Sequence, residues 1–172
     1  GVLGGTNAIG GLINLLSDND DSVRRCASNS LERIGSGAIK PLIAALADDN
    51  LYTRKYAFTT LAEIAPEAKV DEIQPAITPA IEGLRDIDSS IRSAAEAILV
   101  NIGEPAIRPI IDLFKSPDSS IHSYAIRILK SIGSSAVEPL ESALNDQNSV
   151  VKKNAMFALI NIVPSRAENY KI

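Results

Sequence analysis

Tryptophan is absent from this 172-residue chain; cysteine, histidine and methionine occur once each, and aromatic residues make up only 4% of it. A single cysteine excludes an intrachain disulfide and a cysteine-based zinc cage, and a single histidine excludes a histidine-rich metal site. No apolar run approaches the roughly 18–20 residues that cross a bilayer. No signal peptide is visible in a chain that begins at Gly1. The expected setting is therefore soluble and cytoplasmic, with no membrane partner. Positive charge is also short. The net charge is −4, whereas a phosphate-binding surface ordinarily needs a basic excess, so the balance argues against a dedicated nucleic-acid binder.

What is there is aliphatic. Hydrophobic residues make up 45% of the chain, and with so few aromatics the core has to be built from Ala, Ile, Leu and Val. Such side chains let helices approach closely, and the length suffices for one domain with a sizeable core.

These residues recur in register. Ala27, Ala57, Ala95, Ala125 and Ala155 form one column, Leu31, Leu61, Leu99, Leu129 and Leu159 a second, and Ile34, Ile64, Ile102, Ile132 and Ile162 a third. Gly35, Gly103 and Gly133 follow the Ile column in three of the copies. An earlier block carries Ala8, Ala38, Ala76, Ala106 and Ala136, with Pro41, Pro79, Pro109 and Pro139 three residues later, and Leu16, Leu46, Leu84, Phe114 and Leu144 at its end. The spacing is 30 residues except between the second and third copies, where it is 38. The extra residues lie near PEAKVDEI, 66–73.

Each copy reads as two helices. In AIKPLIAALAD, apolar residues 39, 42, 43 and 46 recur at helical spacing, and Pro41 is expected in or near the first turn, where a missing N–H costs least. The second block opens at Asp20, Asn50, Asp88, Asp118 and Asn148, short acceptors suited to capping a helix start. Gly35 and its equivalents supply the stop. A hairpin of about 30 residues cannot bury its own apolar stripe, so the copies have to stack on one another.

Two charged columns bear on how copies join. Asp18 precedes Arg24 by six residues, as Asp48 does Arg54 and Asp86 does Arg92; Asp146 and Lys152 keep the charges. The fourth copy has Ser116 and His122 and so loses both partners together. This is the pattern expected if the two columns pair as a structural ladder.

The string D-x-x-x-x-V-R-x-x-A-x-x-x-L-x-x-I-G, from Asp18 to Gly35, resembles a HEAT repeat. Together with the first-helix string AI-x-PLI-x-x-L, it is similar to the short bacterial and archaeal HEAT-like repeats named after phycobilisome lyases. The resemblance implies an all-α fold, a right-handed α-α superhelix of about five stacked hairpins. Its repeats would fall at about 6–35, 36–65, 66–103, 104–133 and 134–163 of one domain. It further implies that the Asp and Arg columns form a ladder between repeats, and that the second helices line a concave face.

On that face the outward positions include Arg25, Asn29, Lys55, Phe58, Ser93, Glu96, Ser123, Arg127, Lys130, Lys153 and Phe157. Basic and apolar groups are mixed there, which suits an acidic peptide or protein surface. PEAKVDEI carries Val70 and Ile73 at helical spacing with Ile77 and is expected to add a turn or short helix, as a partner-contacting loop or as a harmless insertion. VLGG at 2–5 looks like the tail of an earlier unit, and VPSRAENYKI shows no obvious polar cap, so the chain is either a whole array or a segment of a longer one.

Chemistry is not in evidence. His122 sits in the Arg column with no triad near it. Cys26, one residue before the Ala column, reads as a small packing group. Carboxylates cluster in turns as caps rather than converging as acid–base catalysis requires, and the glycines end helices without fitting a phosphate loop. No catalytic, cofactor or metal site is read. The leading expectation is a non-catalytic scaffold for a protein or peptide. A chromophore-lyase subunit, as the family's name implies, and a nucleic-acid binder using the basic strip are the alternatives.

Overall fold

The computed structural model describes the backbone of residues 2–165 and the side chains of residues 8–165; the expected uncapped end lies outside the described residues from 166 onward. Every regular element among the described residues is helical. First helices are α1 (Val2–Leu15), α3 (Ser36–Ala45), α6 (Ile77–Gly83), α8 (Glu104–Asp112) and α10 (Val137–Ala143). Second helices are α2 (Asp21–Ile34), α4 (Leu51–Ile64), α7 (Ser89–Ile102), α9 (Ser120–Ile132) and α11 (Ser149–Ile162). The four-residue helix α5 (Val70–Ile73) lies between α4 and α6.

The chain divides into two compact units between Ile98 and Leu99. In the first unit α1 packs on α3 and α2 on α4, while α3 also meets α5. In the second, α8 packs on α10 and α9 on α11. First helices thus lie on first helices and second on second, an all-α solenoid arrangement of hairpins.

The columns explain the packing. All five column Leu residues, from Leu31 to Leu159, are fully buried, and the Ala column is buried throughout. Burying such a Leu stabilises by about 1.5–3 kcal/mol, and the neighbouring Ala lets the facing helix approach. Gly35, Gly103 and Gly133 end their helices at φ of 65–84°, a region that L side chains rarely enter. Where the second copy has Ala65 instead, the backbone stays right-handed and runs through a 3₁₀ turn into the insertion. Each of the Asn or Asp residues accepts a backbone N–H two residues on, although on α9 the cap position itself is Ser119. Asp20 Oδ1 takes Ser22 N–H, Asn50 Oδ1 takes Tyr52 N–H, Asp88 Oδ1 takes Ser90 N–H, Asp118 Oδ1 takes Ser120 N–H and Asn148 Oδ1 takes Val150 N–H.

Two local expectations need correction. Pro41 and Pro109 sit inside α3 and α8 rather than in their first turns, because the segment after the glycine is already helical. Cys26 is exposed; one residue before the buried Ala column is about 100° around the helix from it. Among the described residues, no helix is long and apolar enough to cross a membrane.

Candidate partner-binding face

The turns that join first to second helices share one side-chain fold-back in every copy. The side chain in the Asp column folds back on its own turn. Asp18, Asp48, Asp86 and Asp146 each accept, through Oδ1, the backbone N–H two residues on, at 2.8–2.9 Å. Ser116 Oγ does the same for Asp118 at 3.2 Å. The Arg column then satisfies the turn's carbonyls. Arg54 Nη1 donates to Asp48 O and Asp49 O, and Arg92 Nη1 to Asp86 O and Ile87 O. Within a copy, then, the two columns meet through carbonyls rather than carboxylates. Across adjacent hairpins of the first unit, Arg54 Nε reaches the Asp86 carboxylate at 3.3 Å, and Lys55 reaches Asp88 at 3.1 Å. Lys152, the last of the column, is half-buried on α11.

Arg24 departs from this. Its Nη1 also meets the Asp18 and Asn19 carbonyls, but its carboxylate partner is Asp21 at 2.9 Å. The guanidinium is nine-tenths buried, lies 4.1 Å from the Tyr52 ring centre, and leaves its Nε without a partner. Tyr56 donates its hydroxyl to Asp21 at 2.7 Å. That hydrogen bond and the one from Arg24 hold the Asp21 carboxyl below the ordinary range. Sequence reasoning overlooked the tyrosines, although their four-residue spacing on α4, one copy after Arg24, was the available signal.

His122 fills the Arg position in the second unit. Its Nε2 meets Ser116 O at 3.1 Å and its Nδ1 meets Asn154 Nδ2 at 3.2 Å, with Phe114 edge-on to the ring. A carbonyl can only accept and an amide NH₂ can only donate. The Ser116 carbonyl therefore takes a hydrogen from Nε2. The joint loss of Asp and Arg in the fourth copy leaves the same turn tied by Ser116 and His122 instead.

The outward positions of the second helices divide sharply. In the first unit Arg25 is exposed but paired with Asp21 at 2.9 Å, and Lys55 is engaged by Asp88. Burial pushes the Asp88 carboxyl up, but the Ser90 N–H and the Lys55 ammonium outweigh it and hold it below the ordinary range. Asn29 is exposed and Glu96 half-buried. Phe58, expected on the open face, is instead 1% exposed. It lies over Gly83, where even a Cβ would come within 2.4 Å of its ring; the missing side chain on α6 makes room for it. Ser93 lines a shallow hydroxyl-rich depression of about 450 Å³ with Thr59, Glu63 and Ser89.

In the second unit Ser123, Arg127 and Lys130 on α9 and Lys153 and Phe157 on α11 are all exposed. Arg127 lies 4.8 Å from the Tyr124 ring centre. Phe157 is 55% exposed, with Met156 and Ile160 half-buried beside it on the same helix. Lys130 and Lys153 make no ion pair among the described residues. No cluster of His, Cys, Asp and Glu among the described residues could hold a metal ion.

Stacked helical hairpins with capped, carbonyl-satisfied turns define the class: a helical repeat protein of the α-solenoid kind. Within that class the chain belongs to the HEAT repeat family, whose model matches residues 9–78 and 77–160. Among solved structures it is similar to Drosophila melanogaster Mini spindles TOG3, with a TM-score of 0.62 at 16% identity over 92% of this chain and 83% of that one. It is similar to the complex of CpcE and CpcF of phycocyanin lyase from Nostoc, with a TM-score of 0.54 at 24% identity over 89% and 98%. Computationally designed armadillo repeat proteins for modular peptide recognition match with a TM-score of 0.51 at 22% identity over 92% and 86%. At these identities the likeness shows the fold. No curated protein matches the chain.

Proposed function

We propose that this chain is a non-catalytic interaction scaffold that takes an acidic peptide or protein surface on its second helices, with α9 and α11 as the principal site. One observation carries the reading: Arg127, Lys130 and Lys153 stand exposed on neighbouring helices of a chain with net negative charge, beside a Phe157 that is more than half exposed. A cationic rim steers and orients an acidic partner, while an exposed aromatic supplies the desolvated anchor that dominates interface energies. Fold alone does not choose a function; the side chains do. The first unit's counterpart face, with Arg25 and Lys55 already paired and Phe58 withdrawn, plays the lesser part.

The test is a pull-down on the purified chain and on its Lys130→Glu, Lys153→Glu variant. A partner captured through an acidic segment by the first and lost by the second is the expected result. Capture of nucleic acid that weakens steeply with salt, or a spectral change on adding a bilin, would replace the reading with one of its alternatives.

A further inference from the structure

A second surface lies on first-helix residues. Between α3 and the insertion runs a groove of about 530 Å³, lined by the apolar Ile39, Ile43, Ala44 and Pro75 and by the charged Lys40, Asp71 and Glu72. That size falls within the range of sites that hold a specific ligand. In the second unit the matching place between α8 and α10 holds only about 270 Å³. There Asp112 occupies the position of Ala44 and is tied to Lys115 at 2.6 Å. Two features of the first unit make the difference. The insertion supplies a new wall, held down by Ile73, which is 1% exposed. And the position that carries an ion-paired Asp112 in the second unit is a bare alanine in the first.

The charged lining decides what fits. Among the described residues, Lys40, Asp71 and Glu72 have no side-chain hydrogen bond or ion pair. The insertion thus brings two unpaired carboxylates to a groove whose other lining is mostly apolar. We infer that this groove docks a short peptide segment of a partner protein, one that places aliphatic side chains against Ile39, Ile43 and Pro75 and a Lys or Arg against Asp71 and Glu72. The occupant's charge is opposite to that of the partner proposed for α9 and α11, so this site is independent of that reading.

A displayed library of short random peptides, selected on the purified chain and on two variants, tests it. Ala44→Arg fills the groove and adds a positive charge; Asp71→Asn with Glu72→Gln neutralises the wall without changing its shape. All three positions are solvent-accessible, and unchanged helical circular dichroism checks folding. If Ala44→Arg alone fails to fold, the isosteric double variant decides. The expected result is enrichment of aliphatic peptides carrying a basic residue. Their affinity should fall about tenfold or more with Ala44→Arg, and about two- to fivefold with the neutralised wall, less at high salt. Failure to enrich any peptide, enrichment of acidic ones, binding indifferent to both variants, or a dimer dissolved by Ala44→Arg would each overturn the proposal.

Discussion

The two units solve one problem with different chemistry. In the first, the turn between first and second helix is tied by an arginine whose guanidinium caps two carbonyls and whose Nε reaches the next hairpin's Asp86. In the fourth copy, within the second unit, His122 meets the equivalent carbonyl and passes the contact on to Asn154. At Arg54 and at His122 the position both meets turn carbonyls and bridges to the neighbouring hairpin, and it does so with two different side chains.

Four experiments break or sharpen this comparison. The largest effect is expected where the units do not differ. Leu61→Ala and Leu129→Ala remove fully buried column residues of the first and second unit and should each cost about 2–5 kcal/mol in urea unfolding. A loss under about 1 kcal/mol at either would show that the columns do not share one packing logic. Next comes a contact special to the first unit. Gly83→Ala drives a methyl to 2.4 Å from Phe58 and should cost about 1–3 kcal/mol; adding Phe58→Leu should recover part of that loss, and no recovery would break the assignment.

The tie itself ranks third. Arg54→Ala, with Asp86 kept, should cost more than about 1 kcal/mol, and His122→Ala about 1–3 kcal/mol, because each removes hydrogen bonds within the turn and leaves a part-buried partner on the next hairpin unpaired. Double-mutant cycles separate the two kinds of tie. The coupling of Arg54 to Asp86, about 0.5–1 kcal/mol for a half-buried pair, should shrink as salt rises, and that of His122 to Asn154 should not. The smallest effect is on acid stability. Asp88 is held below the ordinary carboxylate range, so its contribution is fully present above its unfolded-state value and is lost as pH falls through the lower, folded-state one. The acid limb of the stability curve should therefore flatten in Asp88→Asn. An unchanged limb would remove the Lys55–Asp88 pair from the account.

Much of this was legible before the structure. The Ala and Leu columns announced the hairpins because period and burial are locked together in a helix, and the Asn or Asp opening each second helix announced its cap because that geometry is local. The site was less legible. Lys130 and Lys153 emerged from spacing, but Phe58 was misplaced, since its burial depends on a glycine 25 residues away on another helix. The Asp and Arg columns were seen to be linked, yet the atoms joining them within a copy turned out to be carbonyls, which column patterns do not show.

By itself, the sequence determined the unit, its helices, their ends and the buried stripe, all properties of residues within a few turns of one another. Tertiary structure alone decided which cations were already paired, where Phe58 went, that Arg24 would stack on Tyr52, and that the insertion would wall a groove. The physical reason is range: capping and amphipathicity act along the chain over one or two turns, whereas pairing, occlusion and the shape of a groove depend on which side chains the stacking of helices brings face to face.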